Sequence, residues 1–364
     1  MVQLLLSHGA DANKPVCVEG PEWSVPLMVI APPGCRPEEF AANGGDAIVQ
    51  LLIAAGGDIN GPPPALRAAI SARPLHRLVA CASLDTIKVA LDAGAELHHT
   101  ACSQDNFDTP LKIACCYRDA DVVQLLLERG ADVNESSPSA RGPTALQAAF
   151  CRNTLSLEVV ELLLRHGADI NAAPKSGARF TALQAAAQQA GSCVPLVELL
   201  LDYGADVNAK PYHKSGLTAL QAAAGRTVPC VPLVELLLMY GADVNARPCY
   251  SGGLTALQAV AESGHVPIAQ LLLEAGADPN APAAAEDGCD AVETAAIYGR
   301  LDMVQLLLDS DAVGDVAGWQ LLKPAIKRAA GHGPITKILQ RRQEELEAMG
   351  FEEVLKLIDR ARGG

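Results

Sequence analysis

Aromatic side chains are scarce in this sequence, at 4% of its residues. That scarcity excludes a core built on large rings and points to thin elements packed closely through Leu, Val and Ala. Positive charge is also short, with 28 Lys and Arg against 42 Asp and Glu and a formal charge of −14. Such a balance argues against nucleic acid, whose phosphates need a basic footprint. Neither an uncharged apolar run of 18 residues nor a basic-plus-apolar leader is present, so no membrane-spanning helix and no signal peptide is predicted. The eleven cysteines are odd in number and form no CxxC-type ligand cluster; they read as reduced thiols of an intracellular protein, cytoplasmic or nuclear. His166 and His265 have no second ligand at metal spacing. GxxxxGK[ST], HExxH and a nucleophile elbow are all missing, so no catalytic, cofactor-binding or metal-binding residue is predicted.

What the sequence has in quantity is repetition. LLLERGADVN at Leu125 to Asn134 recurs as LLLSHGADAN from Leu4, LLIAAGGDIN from Leu51, VALDAGAELH from Val89 and LLLRHGADIN ending at Asn171. Later copies end at Asn208, Asn245 and Asn280, with a decayed LLLDSDAV from Leu306. The central glycines Gly130, Gly167, Gly204 and Gly241 are spaced 37 residues apart, a period that signals stacked structural repeats. A second block keeps phase with the first, as TPLKIA from Thr109, TALQAA from Thr144, Thr181 and Thr218, and TALQAV from Thr255.

The two blocks predict two short helices and a connection in each repeat. Thr caps the first helix and small Ala side chains allow close approach. The Leu triplet, with Val residues before it, forms the buried seam of the second helix. Gly ends that helix by taking a positive φ, and the Asp and Asn that follow hold a tight turn. A pair this short cannot bury enough apolar surface alone, so neighbouring pairs must stack.

The pattern T-[PA]-L-x-x-A followed by V-x-x-L-L-L-x-x-G-A-D-V-N resembles the ankyrin-repeat family over roughly residues 1–313. The resemblance implies an all-α, elongated solenoid of stacked helix pairs, normally a non-catalytic protein-binding scaffold that uses its concave helix face and projecting turns. Here the connections are longer than the family's usual unit leaves, so projecting β-turn or hairpin fingers are expected. Gln147, Gln184, Gln221 and Gln258 stand where the family often has His.

The expected finger tips concentrate Arg141, Lys175, Arg179, Phe180, Tyr212, His213, Lys214, Arg247 and Tyr250 in an otherwise acidic chain. Aromatics give rigid contact area, and Lys or Arg can meet carboxylates, so this row is the preferred binding edge for one or more unidentified proteins. The four phased glutamines could bond to an extended partner chain. Segment by segment, the expectation is a partial repeat over 1–24 and an irregular repeat with an insertion and connecting segment over 25–72. A repeat array over 73–313 and a helical C-terminal cap over 314–364 follow. The opening half-repeat, which exposes leucines, suggests a fragment, or the ankyrin portion of a larger signalling receptor or ubiquitin-ligase assembly.

Overall fold

The computed structural model describes residues 2–13, 16–17, 23–24, 36–60, 74–97, 109–135, 143–150, 156–173, 180–189, 193–212, 216–247, 253–281, 289–310 and 316–348. The chain forms two compact units, Met1–Ala182 and Leu183–Gly364. Each is a stack of helix pairs.

In the first unit, α1 (Val2–Ser7) is followed by α2 (Pro37–Ala42), α3 (Gly45–Ala54), α4 (Pro74–Cys81), α5 (Leu84–Asp92), α6 (Pro110–Tyr117), α7 (Ala120–Glu128), α8 (Ala145–Ala149) and α9 (Leu157–Arg165). First helices pack on first helices, as α4 on α6 and α6 on α8, while second helices form a parallel row through α3, α5, α7 and α9. The second unit repeats the plan with α10 (Ala182–Gln188), α11 (Val194–Asp202), α12 (Ala219–Ala224), α13 (Val231–Met239), α14 (Ala256–Ser263), α15 (Val266–Glu274), α16 (Ala291–Ile297) and α17 (Leu301–Asp309), then α18 (Val316–Arg328) and α19 (Gly333–Ala348).

Helix starts follow from the sequence. The Thr109, Thr144, Thr218 and Thr255 hydroxyls each accept the amide of the residue three positions on, satisfying a donor that the helix itself leaves free. Helix ends follow too, since Gly130 at φ 90° and Gly204 at φ 87° occupy the left-handed region that side chains avoid. Between start and end, Val159, Val160, Leu163 and Leu164 are buried, and Leu200, Val234 and Leu237 occupy the same seam in the second unit. At roughly 1.5–3 kcal/mol per fully buried aliphatic side chain, this seam is the main stabilising term of each repeat.

The turn after each glycine divides its two polar residues between two tasks. Asp accepts the amide of the Asn two residues on, as in Asp132 with Asn134 at 2.9 Å and Asp243 with Asn245 at 3.0 Å. The Asn side chain leaves its own turn for the next repeat. Asn134 Nδ2 donates to the Gly167 carbonyl at 2.8 Å while its Oδ1 accepts the Asp169 amide at 2.8 Å. Asn208 makes the same pair of bonds with Gly241 and Asp243, at 2.9 and 2.7 Å.

The expected projecting hairpin fingers are corrected by these turns. Among the described residues, the sole strand pairing is a two-residue antiparallel bridge, Val16–Cys17 with Trp23–Ser24, in the first connection. The connections of the regular repeats contain no strand among their described residues. Side-chain and turn bonds from Asp, Asn and Gln occupy the backbone groups beside each glycine, leaving less for a hairpin ladder.

The stretch expected as an irregular insertion contains α2. Pro37 occupies its first turn, Glu38 and Glu39 lie favourably near the helix N-terminus, and Phe40 is buried. A Cβ on Gly45 would come within 2.8 Å of the Phe40 ring, so only glycine lets α3 approach this closely. Residues 61–72 of the expected connecting segment lie outside the described residues.

The last repeat closes differently. Asp290 replaces Thr as the cap of α16, its carboxylate accepting the Glu293 amide at 2.7 Å. Glu293 replaces the phased Gln and, instead of donating, meets Arg328 Nε of α18 at 3.7 Å; Arg328 also donates to Cys289 Sγ. An ion pair therefore links the last repeat to α18, where the regular repeats use an amide-to-carbonyl bond.

Candidate protein interaction surface

The glutamines at the third position of α8, α10, α12 and α14 are buried, with Gln184 2% and Gln221 1% exposed. Gln221 Oε1 accepts the Thr218 amide at 3.0 Å, the reciprocal half of the Thr218 cap, and its Nε2 donates to the Ala246 carbonyl at 3.0 Å. Gln147 reaches Ala172 at 3.0 Å, Gln184 reaches Ala209 at 2.8 Å and Gln258 reaches Ala281 at 3.2 Å. Both ends of Gln147, Gln221 and Gln258 are therefore committed to holding the connection against the helix start. These side chains have no free surface with which to bond an extended partner. Burial, invisible in the spacing alone, is the physical reason.

Among the remaining candidates, Tyr212 is 64% exposed and Arg247 is also exposed, both in connections of the second unit. Phe180 is half-buried immediately before the cap of α10. Arg141, Lys175, Arg179, His213, Lys214 and Tyr250 lie outside the described residues. Sequence reasoning did not single out the exposed Tyr203, Met239 and Tyr240, which occupy the one or two positions before the terminating glycines Gly204 and Gly241. Their signal was available: bulky side chains at helix ends where other copies carry Arg, His, Ala, Ser, Asp or Glu.

Residues 38–137, 135–211, 208–283 and 230–317 match the family model described as ankyrin repeats (3 copies). The chain belongs to the ankyrin-repeat family. No curated protein matches it. The ankyrin-repeat fold generally mediates protein–protein interaction.

Among the described residues, no group of three or more His, Cys, Asp or Glu side chains could hold a metal ion. Cys115, Cys193, Cys230 and Cys289 are free thiols. Burial pushes the Cys115 thiol far above its ordinary range, so it packs as a small apolar group rather than reacting as a thiolate. Cys193 accepts a bond from Arg226 Nη1 at 3.0 Å inside the second unit. No helix among the described residues is long and apolar enough to cross a membrane.

Proposed function

We propose that this ankyrin-repeat chain is a non-catalytic scaffold that binds one or more proteins along the connections following its terminating glycines. The single observation that carries the reading is Tyr212, a large amphipathic ring held 64% exposed beside the fixed turn at Asp206–Asn208. A ring presented on a braced turn contributes contact area with little rotamer entropy to lose. Arg247, exposed two residues beyond Asn245, supplies a planar cation in the next connection. His213, Lys214 and Tyr250 extend this chemistry in sequence. In the first unit, Arg141, Lys175, Arg179 and Phe180 are the corresponding candidates. Free thiols among the described residues, Cys115, Cys193, Cys230 and Cys289, suit a reducing compartment, which supports an intracellular site of action.

The test is capture from cell extract by the immobilised full chain and by its Tyr212→Ala/Lys214→Glu variant. The variant should retain the parent's melting profile and lose the captured protein. A full yield of the same protein on the variant would remove this edge from the binding surface.

A further inference from the structure

The ends of the second helices are treated differently in the two units. In the first, the residues just before the terminating glycine include Arg129 and Arg165. Arg129 pairs with Asp92 of the neighbouring helix at 2.9 Å, and Arg165 pairs with Glu161 at 2.5 Å. A cation at this position also suits the partial negative charge of a helix C-terminus. In the second unit, α11, α13 and α15 contain no Lys, Arg or His. Asp202 and Glu274 are the last residues of their helices, as Asp92 and Glu128 are in the first unit, and a carboxylate is electrostatically unfavourable there. Asp92 has Arg129 against it, whereas Asp202 and Glu274 meet no cation among the described residues.

Large apolar groups are exposed at the same place. Met239 is 81%, Tyr203 43% and Tyr240 40% exposed. They lie on adjacent elements, because α13 packs between α11 and α15. Tyr240 donates its phenol proton to Asp202 Oδ1 at 2.5 Å, which brings the end of one repeat against the next. That bond, the largest cause, raises the Tyr240 phenol above its ordinary range and keeps it a neutral donor. Glu235 lies one helical turn before Met239. The result is an exposed thioether and two rings flanked by carboxylates that meet no cation among the described residues.

We propose that this face, formed by Asp202, Tyr203, Glu235, Met239, Tyr240 and Glu274, docks a Lys/Arg-rich segment of a partner protein that also carries a bulky aliphatic anchor. The charge selects the occupant: the carboxylates attract ammonium and guanidinium groups, the ring faces accept a cation, and Met239 receives the aliphatic group. An anionic polymer or an anionic lipid surface is repelled by the same residues. This surface shares no residue with the Tyr212 edge, so either reading can fail without the other.

The test uses the full chain and a fluorescein-labelled synthetic peptide with Lys and Arg on one helical face and Leu on the other. A control peptide keeps the cations and replaces every Leu by Ser. In fluorescence anisotropy the Leu-bearing probe should bind, and the control at least about tenfold more weakly. Met239→Ser, and separately the combined Asp202→Asn/Glu235→Gln/Glu274→Gln variant, should each weaken the probe by about tenfold or more, whereas Tyr212→Ala should not. All substituted side chains are exposed, so circular dichroism and melting should match the parent. Equal affinity for both peptides, equal affinity across the variants, or no binding of the Leu-bearing probe would each overturn the proposal.

Discussion

Replacing Gln221 by Ala tests the bonding that ties each first helix to the connection beyond it. The side chain is 1% exposed, so water cannot simply take over its bonds. Truncation removes the acceptor for the Thr218 amide at 3.0 Å and the donor to the Ala246 carbonyl at 3.0 Å. A buried backbone group left without a partner costs about 1–3 kcal/mol. Losing both bonds, with partial relaxation, should therefore cost about 2–4 kcal/mol. Thr218→Ala, which removes the other half of the reciprocal cap, should cost about 1 kcal/mol. The double variant should fall short of the sum, because the two side chains act as one unit. Urea denaturation gives the total loss. Hydrogen exchange locates it, and the Thr218 amide should be among the most deprotected sites in Gln221→Ala. A loss below about 0.5 kcal/mol would refute the structural role of the buried glutamines.

Two further predictions concern the turns and the last repeat. Asn208→Ala removes bonds to Gly241 and Asp243 in the next repeat but in an exposed setting, so urea denaturation should show a smaller loss, about 1–2 kcal/mol; no change would deny the Asn bridge a role in coupling repeats. Asp290→Asn should stabilise the chain at pH 7. Burial, the largest cause, raises the Asp290 carboxyl from its ordinary 3.8 to about 6, so between those values the folded chain holds a proton that the unfolded chain has lost. The stability associated with this group is fully present below about pH 3.8 and lost as the pH rises through 6. Asn caps a helix as well as Asp and carries no charge, so the gain over the parent should be about 2–3 kcal/mol at pH 7 and vanish near pH 4. Urea titrations at the two pH values measure it, and a pH-independent difference would contradict the assignment.

The sequence disclosed repeats most fully where one residue type performs one local task. Thr144 caps, Gly130 terminates and Leu163 fills the seam, and each can be read from its neighbours within one turn of helix. Long-range tasks were less legible. Asn134 looked like a residue of its own turn, yet its side chain bonds 33 residues away. Gln184 looked available to a partner because phasing gives position in the repeat but not burial. The length of the connections suggested hairpins, but length does not say whether side chains will take the backbone groups that a ladder needs. Composition singled out Tyr212 as a candidate, while Met239 required its exposure to set it apart from the leucine triplet that precedes it.

The central claim, that partners are chosen by residues between the repeated blocks, is tested most directly by chemical crosslinking and mass spectrometry of a protein captured on the full chain. Crosslinks are expected at Lys210 and Lys214, beside Tyr212, and should disappear together with capture in the Tyr212→Ala/Lys214→Glu variant. Crosslinks confined to α2 or to α18 and α19, with capture undiminished in that variant, would contradict it.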